Sequence, residues 1–223
     1  MKTIALRPFL AAKFFLFCCA ALLLLAGCDG GIRGNGRITT ENRPIPDFTS
    51  VEANGALRVE WSPGGPALAV TTDENLQQHI DTRVAGNKLI IKSHGVLVPT
   101  QKLRVRITSS ALNAAALYGA VQFQAVKLND QNFYLDATGA TRTTLSGTAG
   151  ALSASMTGAS RLDAEDLQTR TSELSISGAG RAEVFASEKL RAAISGAGKV
   201  LYAGNPKTVE KRITGAGKIS AKD

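Results

Sequence analysis

The chain of 223 residues carries 26 basic and 18 acidic side chains, a net charge of +8. A surplus of this size does not call for a nucleic-acid partner. Three cysteines, two histidines and one tryptophan leave little material for a disulfide framework, a metal centre or an aromatic platform for sugars.

The N-terminal 27 residues are predicted to be a bacterial lipoprotein signal peptide. Basic residues begin it, and an apolar run from Phe14 to Ala26 follows. The run ends in Leu25-Ala26-Gly27-Cys28, which resembles a lipobox, the motif that is cleaved before a lipidated cysteine. An uncleaved membrane anchor is the alternative, but the run is short for spanning a bilayer. We therefore expect lipid on Cys28 and a membrane-anchored, periplasm-facing protein of the cell envelope.

Cleavage would remove three basic residues and no acidic ones, leaving a charge of +5 (8 − 3). It would also remove Cys18 and Cys19, so that Cys28 is the one cysteine left. Residues 28–46 are rich in glycine and charge and include Pro44 and Pro46. This composition predicts a flexible tether between the lipid and a domain over residues 47–223.

The first part of that domain, residues 47–117, is irregular. Alternating apolar residues predict strands near residues 51–61, 67–71, 88–92 and 103–107. One or two helical turns are expected between Asp73 and Ile80, with Asp73 as the N-cap. We expect this part to cap a more regular stack, because exposed ends of repeat folds invite edge pairing.

The second part, residues 118–219, repeats a Gly-Ala pair that usually follows a small hydroxyl residue. The glycines of the series are 20, 19, 20, 18 and 19 residues apart: Gly119, Gly139, Gly158, Gly178, Gly196 and Gly215. Apolar residues alternate with polar ones on both sides of each glycine, and the period leaves no room for a helix. The pattern predicts an all-β, single-stranded parallel β-helix, right-handed by analogy with strand twist, with about 18–20 residues per coil.

Each residue of the Gly-Ala pair has an expected role at the corner of a coil. Glycine accepts a positive φ angle and can turn the chain there. We expect the following alanine to fit an inward corner, and the preceding Ser and Thr hydroxyls to bond one another along the stack.

Basic residues recur three positions after the glycines. If the coils stack in register, five of them form one column: Arg142, Arg161, Arg181, Lys199 and Lys218. One interpretation is a strip that binds polyanions such as acidic glycans, lipopolysaccharide phosphates or lipid headgroups. The other is a solvated face that keeps a flat strand surface soluble. Asp163 and Glu183 are expected to neutralise Arg161 and Arg181.

Catalytic and metal-binding motifs are not found in the sequence. His79 and His94 stand in unrelated segments, and each is interpreted as a surface residue. Gly-Ala-Gly at residues 178–180 and 196–198 lacks the third glycine and the helix of a dinucleotide loop. The acidic run Asp163-Ala164-Glu165-Asp166 is interpreted as a solvated turn, with weak calcium binding as the alternative. We predict no catalytic residue, no metal site and no cofactor.

The arrangement resembles the bacterial family known as putative auto-transporter adhesin, head GIN domain. The resemblance rests on the segment Phe48 to Val59, on Thr72-Asp73-Glu74-Asn75-Leu76, on Leu89-Ile90-Ile91 and on the Ser-Gly-Ala-Gly coils. It implies a β-helix of stacked coils and brings no catalytic residues.

The function expected from the sequence is non-catalytic binding or structure at the cell envelope, adhesin-like in kind. One alternative is a β-helix lyase or hydrolase acting on glycans, which a concave site joining Arg142 or Arg161 to Asp163 and Asp136 would favour. Another is a scaffold that self-assembles through the solenoid ends, testable by sedimentation. The partners expected are the membrane, through Cys28, and anionic envelope polymers or headgroups, without nucleic acid; the sequence does not set the oligomeric state.

Overall fold

The computed structural model describes residues 30–222. The predicted signal peptide and the predicted lipidation site at Cys28 lie outside the described residues. From Ile32 onward the chain forms one compact unit. Within residues 30–222, no helix is long and apolar enough to cross a bilayer.

Nineteen strands and one short helix make up the described fold. The strands are β1 (Ile32–Arg33), β2 (Ile38–Arg43), β3 (Ser50–Gly55), β4 (Arg58–Pro63), β5 (Ala67–Asp73), β6 (Ile80–Ala85), β7 (Lys88–Ser93), β8 (Leu97–Val98), β9 (Arg104–Ser109), β10 (Ala114–Gly119), β11 (Gln122–Gly139), β12 (Arg142–Gly158), β13 (Arg161–Ala164), β14 (Leu167–Gly178), β15 (Arg181–Phe185), β16 (Lys189–Gly196), β17 (Lys199–Ala203), β18 (Thr208–Gly215) and β19 (Lys218–Ala221). A 3-10 helix, Glu74–His79, lies between β5 and β6.

The predicted parallel β-solenoid is confirmed. The repeat strands pair in parallel with the strands one coil away, and the corner glycines stack in register. The stack continues below the repeats, because Gly119 pairs with Gly55 of β3. Six steps of about 4.8 Å separate Gly55 from Gly215, a length of roughly 29 Å. The handedness stays a prediction.

The core runs along the inside of the stack. Alternate strand residues point inward and form columns in which large and small side chains interdigitate. One such column contains Val51, Ala115, Leu135, Ala154, Leu174 and Ala192, all of them buried. This alternation of sizes lets successive coils approach at strand spacing without voids.

The glycine corners behave as predicted, but their alanines do not. Gly178 has a φ angle of +114°, and the φ angles of the other corner glycines are also positive. The expected inward position of the alanine is wrong, because Ala179 is exposed. Its N–H donates to the carbonyl of Gly158 in the preceding coil at 3.0 Å, which leaves the methyl group on the outside of the bend. The buried position belongs to the next residue, which is Gly180 here and Leu57 in the first coil.

The hydroxyl residues before the glycines also lie outside. Thr138, Thr157, Ser177, Ser195 and Thr214 are exposed. Among residues 30–222, no hydrogen bond links these hydroxyls to one another. The expected bonding of hydroxyls along the corner is therefore wrong.

The segment predicted to be a flexible tether contains two strands instead. β2 pairs antiparallel with β5, and β1 pairs in parallel with β8. The glycines that suggested flexibility permit a close approach: a Cβ on Gly34 would overlap the carboxyl group of Asp73. The order of this segment therefore depends on contacts with residues 25 (Arg43 to Leu68) to 65 (Ile32 to Leu97) positions away.

Asp73 holds that segment in place. Its carboxylate accepts hydrogen bonds from the Gly36 N–H (2.8 Å), the Thr100 N–H (2.9 Å) and the Thr100 hydroxyl (2.7 Å). Asp73 stands at the predicted N-cap position of the 3-10 helix, but its side chain makes no capping bond to that helix. Burial opposes the charged form, but the hydrogen bonds from Thr100 and Gly36 outweigh it and hold the pKa of Asp73 below its ordinary value of 3.8.

Replacing Asp73 by asparagine is expected to release the N-terminal segment. The amide would place its NH2 group against an N–H donor and remove one acceptor. Because the folded pKa is lowered, the carboxylate's contribution is present above pH 3.8 and is lost as the pH falls through the folded pKa. The protection factors of the Gly36 and Thr100 amides, measured by hydrogen exchange, should fall in Asp73→Asn at neutral pH and in the wild type only in acid.

Asp166→Asn is the matched control, since the Asp166 side chain is exposed. It should leave both amides protected at neutral pH. Equal exchange in Asp73→Asn and the wild type would contradict the role assigned to Asp73.

Candidate functional site

The basic residues that follow each corner are aligned by the backbone. Each is the first residue of its strand, and its N–H donates to a carbonyl of the coil below. The Arg142 N–H bonds the Val121 carbonyl at 2.9 Å, and the Arg161 N–H bonds the Thr141 carbonyl at 2.8 Å. Equivalent bonds of 2.9 and 3.0 Å hold Arg181, Lys199 and Lys218. The alignment is thus a consequence of the corner and not of the side chains.

The cationic column, as we define it, consists of eight residues in pairing register: Arg104, Arg58, Gln122, Arg142, Arg161, Arg181, Lys199 and Lys218. The structure brings together all five residues of the predicted strip. It extends the column through Gln122 and Arg58 to Arg104, which sequence reasoning missed because no Gly-Ala pair precedes Arg104. Seven steps of about 4.8 Å give a length of roughly 34 Å.

Carboxylates occupy part of the column. Glu60 lies 2.6 Å from Arg58 and 3.8 Å from Arg104, and Glu183 lies 3.2 Å from Arg181. The predicted neutralisation of Arg181 by Glu183 is confirmed. The one predicted between Arg161 and Asp163 is wrong, because no ion pair between them occurs within residues 30–222.

Four cations of the column have no carboxylate within 4.0 Å in the described part of the chain: Arg142, Arg161, Lys199 and Lys218. Like charges about 5 Å apart repel by roughly 0.8 kcal/mol per pair in water. An anionic polymer bound along the column would offset this repulsion, because each cation would then also be attracted to a negative charge. The column therefore contains cations that are available for an anionic ligand.

A small hollow interrupts the column where Gln122 replaces a basic residue. Its volume is about 170 Å³, and Arg58, Gln122, Gln124, Arg142 and Thr144 line it. The Arg58 guanidinium donates to the Gln124 amide oxygen at 3.3 Å. Two guanidinium groups and two amides around one hollow offer donors to an anionic group.

The geometry that would favour an enzyme is not formed by the described residues. Arg142 and Arg161 share a face of the solenoid, and Asp163 is in register with Thr144 on that face. Asp136 belongs to the strands on the other side of the glycine corner, where it pairs with Ser155. Asp136 therefore does not converge with Asp163 and the two arginines on one site.

A larger hollow of about 470 Å³ lies on another side of the solenoid. Asp130 and Arg170 are the charged residues among the described residues that line it, beside Gln131, Phe185 and Ser187. One carboxylate beside one cation does not supply the acid pair of glycoside hydrolysis.

Two of the remaining candidate residues have structural partners. His94 Nε2 lies 2.6 Å from the Asp81 carboxylate. Glu165, in the predicted acidic turn, pairs with Lys222. Among residues 30–222, no three His, Cys, Asp or Glu side chains are grouped so that they could hold a metal ion.

The C-terminal end of the stack carries a charge where the core would continue. Lys211 of β18 pairs with Ala192 in the inner column, and its amine lies 3.3 Å from the Ile219 carbonyl and 5.2 Å from the centre of the Tyr202 ring. An inward-pointing lysine opposes strand addition at an edge. This arrangement argues against self-assembly through that end.

These features define the class of the protein: a parallel β-solenoid with antiparallel strand pairs in its N-terminal part and a column of aligned cations along one face. The chain belongs to the family described as putative auto-transporter adhesin, head GIN domain, which matches residues 47–206. None of the curated proteins matches the chain.

Solved structures share the fold. A putative adhesin from Bacteroides fragilis is 20% identical with a TM-score of 0.72, covering 86% of this chain and 100% of its own. A putative lipid binding protein from Parabacteroides distasonis is 24% identical with a TM-score of 0.57, covering 87% and 100%. A putative adhesin from Parabacteroides merdae is 20% identical with a TM-score of 0.53, covering 86% and 99%. At these identities the likeness concerns the fold alone.

Proposed function

We propose that the protein is a lipoprotein, anchored through Cys28, whose solenoid binds anionic polymers of the cell envelope without catalysis. The observation that carries the proposal is the cationic column, in which Arg142, Arg161, Lys199 and Lys218 stand in register without carboxylate partners in residues 30–222. The adhesin names of the family and of two relatives agree with a binding role.

The geometry of the column supports a linear polyanion as the ligand. Its cations lie along a line of roughly 34 Å, so a linear polyanion can engage several of them at once. Each exposed ion pair contributes only about 0.2–1 kcal/mol, but linked contacts add through effective concentration. Acidic glycans, lipopolysaccharide phosphates and lipid headgroups all supply such anions, and the Parabacteroides distasonis relative is named a lipid-binding protein.

Binding of the full chain to dextran sulfate, to lipopolysaccharide and to neutral dextran tests the proposal. We expect binding to the two anionic polymers that weakens steeply as salt screens the charges, and none to neutral dextran. Absence of binding to both polyanions at low salt would contradict the proposal, as would binding that salt leaves unchanged.

A further inference from the structure

Two valines of one loop are exposed together. The relative exposure of Val96 is 69% and that of Val98 is 48%. Leu97, between them, packs against the hydrophobic core. Alternate residues of an extended segment point to the same side, so Val96 and Val98 form one small protruding surface, here called the apolar ridge.

The ridge is attached to the first residues of the compact unit. The Ile32 N–H donates to the Val96 carbonyl at 2.8 Å, and the Gly34 N–H donates to the Val98 carbonyl at 2.9 Å. Asn75 fixes the same segment, since its amide donates to the Arg33 carbonyl at 2.8 Å. The ridge and the start of the solenoid domain are therefore one backbone-bonded structure.

The chain connects this structure closely to the predicted anchor. Cys28 stands four residues before Ile32, and four extended residues span at most about 14 Å. The tether expected from composition over residues 28–46 includes the strands β1 and β2. The part that remains between Cys28 and β1 is therefore short. A bilayer holding acyl chains on Cys28 would lie within that reach of β1, to which the ridge is bonded.

The ridge also marks one end of the stack. Val96, Leu97 and Pro99 line a mostly apolar hollow of about 240 Å³ together with Gly55 and Leu103, which belong to the first coil and to the turn before β9. The last corner, at Gly215, is about 29 Å farther along the stack. Contact through the ridge would thus involve the N-terminal end.

We propose that the apolar ridge inserts into the bilayer interface beside the lipid anchor and sets the orientation of the solenoid on the membrane. The inference rests on the proposed anchoring at Cys28. A bilayer fits better than a protein partner, because two valines fall far short of the roughly 800 Å² per partner of a stable protein interface. The lipid supplies the attachment, and the ridge needs only to bias the orientation.

Site-specific fluorescence on the acylated full chain tests the proposal. Cys18, Cys19 and Cys28 are the only cysteines of the sequence, so Val98→Cys can be labelled selectively once processing has removed the first two and acylated the third. Ile213→Cys is the matched control, an exposed apolar residue of β18 with 41% exposure. Each protein carries an environment-sensitive dye in vesicles of zwitterionic phosphatidylcholine that contain nitroxide lipids, so that the cationic column has no anionic headgroup to bind.

We expect the dye at residue 98 to shift to the blue and to lose emission through quenching, and the dye at residue 213 to do neither. A Val96→Cys label should behave as the one at residue 98. Flotation of the vesicles tests the lipid anchor at Cys28 separately from the insertion of the apolar ridge. Protein that floats while the residue 98 label stays aqueous overturns the ridge and leaves the anchor; equal quenching at residue 213 also overturns it. Protein that does not float overturns the anchor and the ridge with it.

Discussion

Gly178→Ala should destabilise the solenoid by roughly 2–6 kcal/mol. The φ angle of Gly178 is +114°, a conformation that costs a non-glycine residue about 1–3 kcal/mol. A Cβ there would also stand 2.7 Å from the Gly158 carbonyl oxygen of the coil below. Forcing packed groups apart costs about 1–3 kcal/mol more.

Gly65→Ala is the matched control for this effect. No atom lies within 4 Å of the position a Cβ would take there, and its φ angle is not positive. The free energy of unfolding, measured by urea denaturation, should fall in Gly178→Ala and change little in Gly65→Ala. Equal stability of the two variants would contradict the account of the corner.

Removal of three unpaired cations should weaken polyanion binding roughly 10- to 100-fold. Exposed charge contacts contribute up to about 1 kcal/mol each, and 1.4 kcal/mol corresponds to a factor of ten. The variant replaces Arg142, Arg161 and Lys199 by glutamine. Arg181 is kept, because Glu183 already lies 3.2 Å from it.

A control variant with the same change in charge separates the column from net charge. Arg83, Arg170 and Lys207 are exposed and lie outside the column, and their replacement by glutamine should leave most of the affinity. Titration of dextran sulfate with both variants at one salt concentration provides the comparison. Equal losses would mean that total charge, and not the column, determines binding.

The repeated part of the fold could be predicted because its information is local and periodic. A glycine every 18–20 residues with alternating apolar neighbours fixes both the strands and their stacking. Once the stacking is known, the column follows, since residues at one offset from the glycine must lie in line. Arg58 and Arg142, for example, each stand three residues after a corner glycine and lie in the same column.

The parts that were missed depend on contacts between distant segments. Composition made residues 30–46 look like a tether, but pairing with β5 and the hydrogen bonds of Asp73 order them. The outward position of Ala179 follows from its N–H bond to the coil below, which alternation does not reveal. The apolar ridge depends on the pairing of Ile32 with Leu97, residues 65 positions apart.

Locating the bound polyanion is the most direct test of the central claim. Side-chain NMR signals of the arginines and lysines can be followed while a short sulfated oligosaccharide is added. The account predicts that Arg142, Arg161, Lys199 and Lys218 shift together and saturably. Shifts that concentrate at Arg170 in the 470 Å³ hollow, with the column unaffected, would contradict it.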